Sequence, residues 1–162
     1  MKILITGCCG FIGSHVCEYL LHYRNDMNIV GIDNINDYYN QNQKYNNLDI
    51  LQQYPNFTFK QIDILDKDII ANIKPTIIIH LAAMAGVRYS LENPTLYMKT
   101  NVEGQTNLLK QSVDNNVKLF IYASSSSVYG TNDKVPFSES DPINGCASPY
   151  AASKINKEII AS

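Results

Sequence analysis

Lys2-Ile3-Leu4-Ile5-Thr6-Gly7-Cys8-Cys9-Gly10-Phe11-Ile12-Gly13 decides how the rest of this chain is read. The apolar run after Lys2 is far too short for a signal peptide or a membrane span, and suits a buried strand. Gly7, Gly10 and Gly13 follow at once as GxxGxxG, where a helix begins. Glycines there permit a tight turn and let backbone N–H groups approach a pyrophosphate at the positive end of the helix.

Working outward, short apolar runs alternate with longer helical patterns. Lys2 to Thr6, Asn28 to Ile32, Phe57 to Ile62, Thr76 to His80 and Lys118 to Ala123 read as strands. Their near-continuous apolar character fits a parallel sheet covered on both faces by crossover helices, so the fold class is α/β. Ile12 to Tyr23 reads as the first helix, with Ile12, Val16, Tyr19 and Leu20 at helical spacing. Pro94 to Asn115 reads as one long helix, its stripe of Leu96, Tyr97, Val102, Leu108, Leu109 and Val113 serving core packing or a dimer contact. The polar stretch from Asn34 to Asn47 reads as a loop leading into a weak helix toward Leu51.

A length of 162 residues with 45% hydrophobic content predicts one domain with one sizeable core. A net charge of −2, with no cluster of Lys and Arg, argues against a nucleic-acid partner. Cys8, Cys9, Cys17 and Cys146 lack the spacing of a metal site and read as reduced thiols. Together these features predict a cytoplasmic chain with no membrane association and no bound metal.

Site residues collect at the carboxyl ends of the strands, where open α/β sheets bind ligands. Asp33 closes the second strand 20 residues after Gly13, placed to bind a ribose hydroxyl pair and to repel a 2′-phosphate, which favours NAD over NADP. Asp63 ends the third strand and Leu81-Ala82-Ala83 follows the fourth, where they border the adenine and the nicotinamide ribose. His80 reads as packed and hydrogen-bonded rather than catalytic. Tyr150 and Lys154, four residues apart, place a phenol next to an ammonium. An adjacent cation and an oxidised nicotinamide ring both favour the phenolate, which suits base chemistry near neutrality.

Thr6-Gly7-Cys8-Cys9-Gly10-Phe11-Ile12-Gly13-Ser14-His15, Asp33-Asn34, His80-Leu81-Ala82-Ala83, Ala123-Ser124-Ser125-Ser126-Ser127-Val128-Tyr129-Gly130 and Ser148-Pro149-Tyr150-Ala151-Ala152-Ser153-Lys154 add up to a resemblance. The chain resembles the amino-terminal half of an extended short-chain dehydrogenase/reductase of the nucleotide-sugar epimerase group. Asp33 to Tyr39 and Ala85 to Pro94 are similar to segments of UDP-glucuronate 4-epimerases, with UDP-glucose 4-epimerases a close second. The resemblance implies a Rossmann-type doubly wound parallel sheet and NAD as cofactor. It also implies epimerisation of a UDP-sugar through a transient 4-keto sugar, with Tyr150 taking the proton of the 4-hydroxyl while C4 gives a hydride to NAD⁺. Lys154 would favour the Tyr150 phenolate and bind the nicotinamide ribose. Ser125 would hydrogen-bond the reacting oxygen, with Ser124 and Ser126 as neighbours that could take its place.

The expected cofactor set is Gly7, Gly10, Phe11, Ile12, Gly13, Asp33, Asn34, Asp63, Ile64, Leu81, Ala82, Ala83, Asn101, Tyr150 and Lys154, and the expected substrate set Arg88, Ser125 and Ser126. Arg88 suits an anionic group or an exposed structural role equally. Related 4,6-dehydratases carry an Asp-Glu pair beside the reacting hydroxyl where this chain has Ser126-Ser127, which argues against dehydration.

Ser162 follows Lys154 by eight residues, so residues 1–162 are expected to be the NAD-binding domain without a substrate domain. Ile155, Ile159 and Ile160 would then lack part of their cover, which calls for a second copy or a complementary carboxyl-terminal chain. Three readings stay open: an epimerase acting as part of a larger unit, an NAD-binding module without turnover, and a reductase of another carbonyl.

Overall fold

The computed structural model describes residues 1–143 and 145–162. Among these, the strands are β1 (Lys2–Thr6), β2 (Asn28–Asp33), β3 (Phe57–Gln61), β4 (Ile77–His80) and β5 (Leu119–Tyr122). Each lies where an apolar run predicts it, with ends shifted by no more than one residue. All pairings are parallel in the order β3-β2-β1-β4-β5, with Leu4 level with Val30 on one side and Ile78 on the other. This is the Rossmann-type doubly wound order. The helices are α1 (Phe11–Tyr23), α2 (Gln41–Leu51), α3 (Ile69–Ile73), α4 (Val87–Glu92), α5 (Pro94–Tyr97), α6 (Gly104–Asp114) and α7 (Pro149–Ala161).

The chain packs as two compact units. Met1–Ala82 with Asn107–Tyr122 is the first, and Ala83–Thr106 with Ala123–Ser162 is the second.

In the first unit the period-2 alternation of the strands feeds two cores. Ile3, Ile5 and Ile29 face Cys17 and Leu21 of α1 and Leu48 and Leu51 of α2. Leu4, Ile32 and Ile78 face Ile69, Ile70 and Ile73 of α3 and Leu108 of α6. Full burial of each such side chain stabilises the fold by about 1.5–3 kcal/mol. Leu119 and Ile121, in register with Ile77 and Ile79, stay 47% and 45% exposed at the β5 edge.

Of the stripe predicted for α1, Val16 and Leu20 pack against the core while Ile12 and Tyr19 turn away from it. Gly13, Ser14, Cys17 and Leu21 are buried, whereas Ile12 and Tyr19 are 61% and 64% exposed. The cause is steric. A Cβ on Gly13 would lie 2.0 Å from the Gly7 carbonyl oxygen, so that face of the helix must lie against the turn, and 13, 17 and 21 follow it inward.

Two other expectations change. The predicted loop ends earlier, because the Asn40 side chain accepts from the Asn42 N–H at 2.9 Å and caps α2 at Gln41. The predicted single helix from Pro94 to Asn115 is α5, a π-helical turn at Met98–Glu103 and then α6. Of its stripe, Tyr97 and Leu108 are buried while Val113 is exposed. No periodic signal marks α3, whose flanking residues Asp68 and Lys74 take left-handed backbone angles with φ of 59° and 53°. Ile159 and Ile160 of α7 are exposed and Ile155 is half-buried.

Gly13→Ala should lower stability by roughly 3 kcal/mol or prevent folding, because the added methyl has backbone on its closest side. Urea unfolding monitored by circular dichroism measures this, and a variant within about 0.5 kcal/mol of the parent would contradict the packing described.

Candidate functional site

In the first unit the site is built around the turn between β1 and α1. Gly7 takes φ +70°, and a Cβ there would lie 2.7 Å from the Ala82 nitrogen, so a side chain is excluded both by conformation and by space. The Thr6 hydroxyl accepts from the Ala82 N–H at 3.1 Å and is hydrogen-bonded to His80 Nδ1 at 2.7 Å, and the Leu81 N–H donates to the Thr6 carbonyl at 3.2 Å. These bonds tie the carboxyl ends of β1 and β4 together and account for the packed role expected of His80. Gly10 stands at the N-cap of α1 without a side-chain cap, leaving the first amides of Phe11, Ile12 and Gly13 to an outside acceptor.

Asp33, at the end of β2, is 8% exposed. Its Oδ2 accepts from the Cys9 N–H at 3.2 Å and its Oδ1 from the Ile35 N–H at 2.9 Å. Lys44 of α2, 4% exposed, places Nζ 3.6 Å from Oδ1 and donates to Asn36 Oδ1 at 2.8 Å. That ammonium also lies 4.9 Å from the centre of the Tyr39 ring, and the Tyr39 hydroxyl lies over the position of a Cβ on Gly10. Burial, then the Asp33 charge, pushes the Tyr39 phenol up from its ordinary value. Asn34 donates to Asp63 Oδ2 at 2.8 Å, while Leu65 N–H holds Oδ1 at 2.9 Å. Ile64 is a core side chain, so only its backbone is open to a ligand role.

The hydrogen bond between the Cys8 and Cys9 sulfurs, then burial, push the Cys8 thiol up, and burial does the same to Cys17. All four cysteines are free, and among the described residues no cluster could hold a metal ion. No helix among them is long and apolar enough to cross a membrane.

In the second unit, Ser148 caps α7 by accepting from the Ala151 N–H at 3.1 Å, and Pro149 sits at the first helical position. One turn apart on this helix, Tyr150 is half-buried and Lys154 is 3% exposed. Lys154 Nζ donates to the Ala123 carbonyl at 2.9 Å and lies 5.8 Å from the centre of the Tyr150 ring. Burial lowers the Lys154 pKa from its ordinary value. Ser125 begins a 3₁₀ turn over Ser126–Tyr129, its hydroxyl accepting from the Ser127 N–H at 3.2 Å. Ser124 donates a short hydrogen bond to Glu158 of α7. An open cleft of about 530 Å³ is lined by Ser124, Ser125, Ser126, Tyr129, Glu139 and Glu158, among others.

Asn101 lies in the π-helical turn and is fully buried. Its side chain accepts from Met84 N–H at 2.8 Å and donates to the Met84 carbonyl at 3.0 Å and to Ser153 at 2.9 Å. Its amide is thus occupied in holding the stretch after β4 against α7, beside half-buried Ala83. Arg88 is exposed on α4. Sequence reasoning misses Lys44, Glu158 and Lys157. Lys44 sits in a polar stretch without pattern, while Lys157 and Glu158 fall on a helix already read for Tyr150 and Lys154.

Residues 4–162 match the family model described as GDP-mannose 4,6 dehydratase. The chain is 42% identical over 162 residues to a UDP-glucuronate 4-epimerase of Thermodesulfobacterium geofontis, covering 98% of this chain and 49% of that protein. It is 43% identical to UDP-glucuronate 4-epimerase 1 of Arabidopsis thaliana, over 95% of this chain and 36% of that one. The crystal structure of UDP-glucuronic acid 4-epimerase from Bacillus cereus in complex with UDP-glucuronic acid and NAD aligns with a TM-score of 0.90 at 35% identity, over 99% of this chain and 51% of that chain. The chain spans about half the length of the curated relatives it matches.

Lys157 is fully buried, and its Nζ has no hydrogen-bond partner among the described residues. Burial, and the nearby Lys154 charge, lower its pKa from 10.5 to about 7. Between these values the unfolded chain binds more protons than the folded one, so stability should rise with pH from about 7 to 10.5. Lys157→Met should therefore stabilise the protein at pH 7 by roughly 1–3 kcal/mol and flatten that rise. Urea unfolding of parent and variant at pH 7 and pH 9.5 reads this, and a variant less stable than its parent at pH 7 would overturn it.

Proposed function

Because the chain belongs to the GDP-mannose 4,6 dehydratase family, we propose that it is the part of an NAD-dependent nucleotide-sugar epimerase, of the UDP-glucuronate 4-epimerase type, that holds the dinucleotide and handles the proton. The observation that carries this is on α7: a buried lysine lies over the Tyr150 ring and is pinned to the carbonyl of Ala123, two residues before Ser125.

The first unit fits a dinucleotide on its own geometry. The uncapped first amides of α1 suit a pyrophosphate, and Asp33 and Asn34 offer hydrogen-bonding atoms to the adenine ribose. Asp63, the Ile64 backbone, Leu81 and Ala82 complete the set in this unit. When bound, NAD supplies the two-electron acceptor and donor that inversion at a carbinol carbon requires.

The remaining work belongs to side chains of the second unit. Tyr150 as phenolate takes the proton of the sugar 4-hydroxyl, and Ser125 donates a hydrogen bond to the same oxygen as it gains carbonyl character. After the 4-keto sugar turns over, Tyr150 returns the proton. The Lys154 ammonium lies 5.8 Å from the centre of the Tyr150 ring. Arg88 and Ser126 meet the substrate, and an exposed guanidinium suits the carboxylate that distinguishes a glucuronate from a glucose. Elimination of water would require a further acid–base pair beside Ser125. Ser126 and Ser127 cannot serve as one, which favours epimerisation over dehydration.

Titration calorimetry with NAD⁺, then UDP-glucuronate, then UDP-glucose, tests the reading. NAD⁺ should bind, and Asp33→Ala should weaken it about tenfold or more. Tyr150→Phe should keep NAD⁺ binding while lowering conversion of UDP-glucuronate to its 4-epimer by about 10²–10⁴-fold. NAD⁺ binding without binding or conversion of either sugar nucleotide would reduce the reading to a cofactor module, and no NAD⁺ binding would overturn it.

A further inference from the structure

We infer that Lys44 sets how this chain distinguishes a free ribose 2′-hydroxyl from a 2′-phosphate, with Asp33 masking a buried ammonium that would otherwise hold the phosphate. The inference rests on the dinucleotide reading of the first unit and adds a residue to it.

Asp33 and Lys44 face each other at 3.6 Å with side chains only 7% and 5% exposed. Asp33 is the one carboxylate within 4.0 Å of Lys44 among the described residues. An ammonium has three donors. One goes to Asn36 at 2.8 Å, the Asp33 carboxylate faces the ammonium as an ion pair at 3.6 Å, and the Tyr39 ring face lies 4.9 Å away. The Tyr39 hydroxyl reaches over Gly10, so this cluster borders the same turn whose amides face outward.

Pairing alters what Asp33 presents. A bare carboxylate would repel a 2′-phosphate at long range, but a carboxylate facing a buried ammonium is nearly neutral when seen from outside. Discrimination must then be local. A carboxylate has about four lone-pair sites. The Cys9 and Ile35 amides take two, and Lys44 faces Oδ1 as a charge at 3.6 Å, which leaves lone pairs for a ribose hydroxyl. A 2′-phosphate has no proton to offer and would have to displace Asp33 from Lys44. With the Asp33 charge removed, Lys44 is a buried cation without an anion, and a phosphate oxygen is a ligand of the right charge and hydrogen-bonding type to replace it.

Calorimetric affinities for NAD⁺ and NADP⁺ are compared in the parent, Asp33→Asn, Lys44→Met and the double variant, with circular dichroism as the check on folding and Lys44→Gln as the alternative if Met does not fold. Asp33→Asn should raise the NADP⁺ to NAD⁺ affinity ratio about tenfold or more, the scale of one charge-assisted hydrogen bond. Adding Lys44→Met should return the ratio to within about threefold of the parent, a coupling that a double-mutant cycle isolates. A gain that survives loss of Lys44, or no gain in Asp33→Asn, overturns the inference while leaving NAD⁺ binding by the parent intact. A parent that binds neither dinucleotide overturns the cofactor reading and this inference together.

Discussion

The contact between the Gly7 carbonyl and Gly13 is the constraint on which the first unit depends. With 2.0 Å between that oxygen and the place of a Gly13 Cβ, α1 can have only one rotation about its axis. That rotation sends Cys17 and Leu21 into the core and leaves Ile12 and Tyr19 outside. It also sets the space beneath the turn, which Cys8 and Cys9 fill with their sulfurs 3.7 Å apart. A third glycine completes the fit: a Cβ on Gly31 of β2 would lie 2.7 Å from the Cys8 sulfur. Bulk in the turn is thus matched by absence of bulk on the neighbouring strand. These sulfurs are accordingly packing groups, and burial of Cys8 and Cys17 works against the thiolate needed for reactivity.

In the second unit the organising element is α7. Its cap at Ser148 fixes where the helix starts, and the helical period then brings Tyr150, Lys154 and Glu158 onto one face at intervals of four. Lys154 and Glu158 hold the chain just before Ser125 by two consecutive residues, Ala123 through its carbonyl and Ser124 through its hydroxyl. Asn101 holds the same helix through Ser153 and, with its other bonds, Met84. The π-helical turn is where that side chain sits, in keeping with the tendency of such turns to occur at functional sites.

Strand positions were legible because a parallel sheet buries both faces and so writes each strand as an unbroken apolar run, as in Ile77-Ile78-Ile79. Gly7, Gly10 and Gly13 were legible for a similar reason, since spacing and position after a strand leave few other uses. The inward face of α1 was legible only in part: Val16 and Leu20 do pack on the core, but Ile12 is exposed while Gly13 and Ser14 are buried, because the steric requirement of Gly13 sets the rotation and no count of apolar residues contains that term. The start of α2 escaped because Asn40 acts through one side-chain bond rather than through a pattern. Lys44 escaped for a further reason: its role depends on meeting Asp33, 11 residues earlier, across a turn and a helix cap.

The two units treat buried lysines in opposite ways, and the difference follows from what each side chain meets. Lys44 has an anion, an amide oxygen and an aromatic face around it, so burial strengthens its contacts as well as removing water. Lys157 has no hydrogen-bond partner for its Nζ among the described residues, and the nearby charge of Lys154 adds repulsion to desolvation. A buried cation with a partner is an ordering device for the residues around it. A buried amine without one costs stability but releases its proton near neutrality, and it does so on the helix that carries Tyr150 and Lys154. Lys157 thereby makes the charge along α7 depend on pH near neutrality. The energetic cost of an unpaired lysine is compatible with the fold because α7 is held by bonds that do not involve its ammonium, including the one from Gln105 to the Lys157 backbone carbonyl at 2.8 Å.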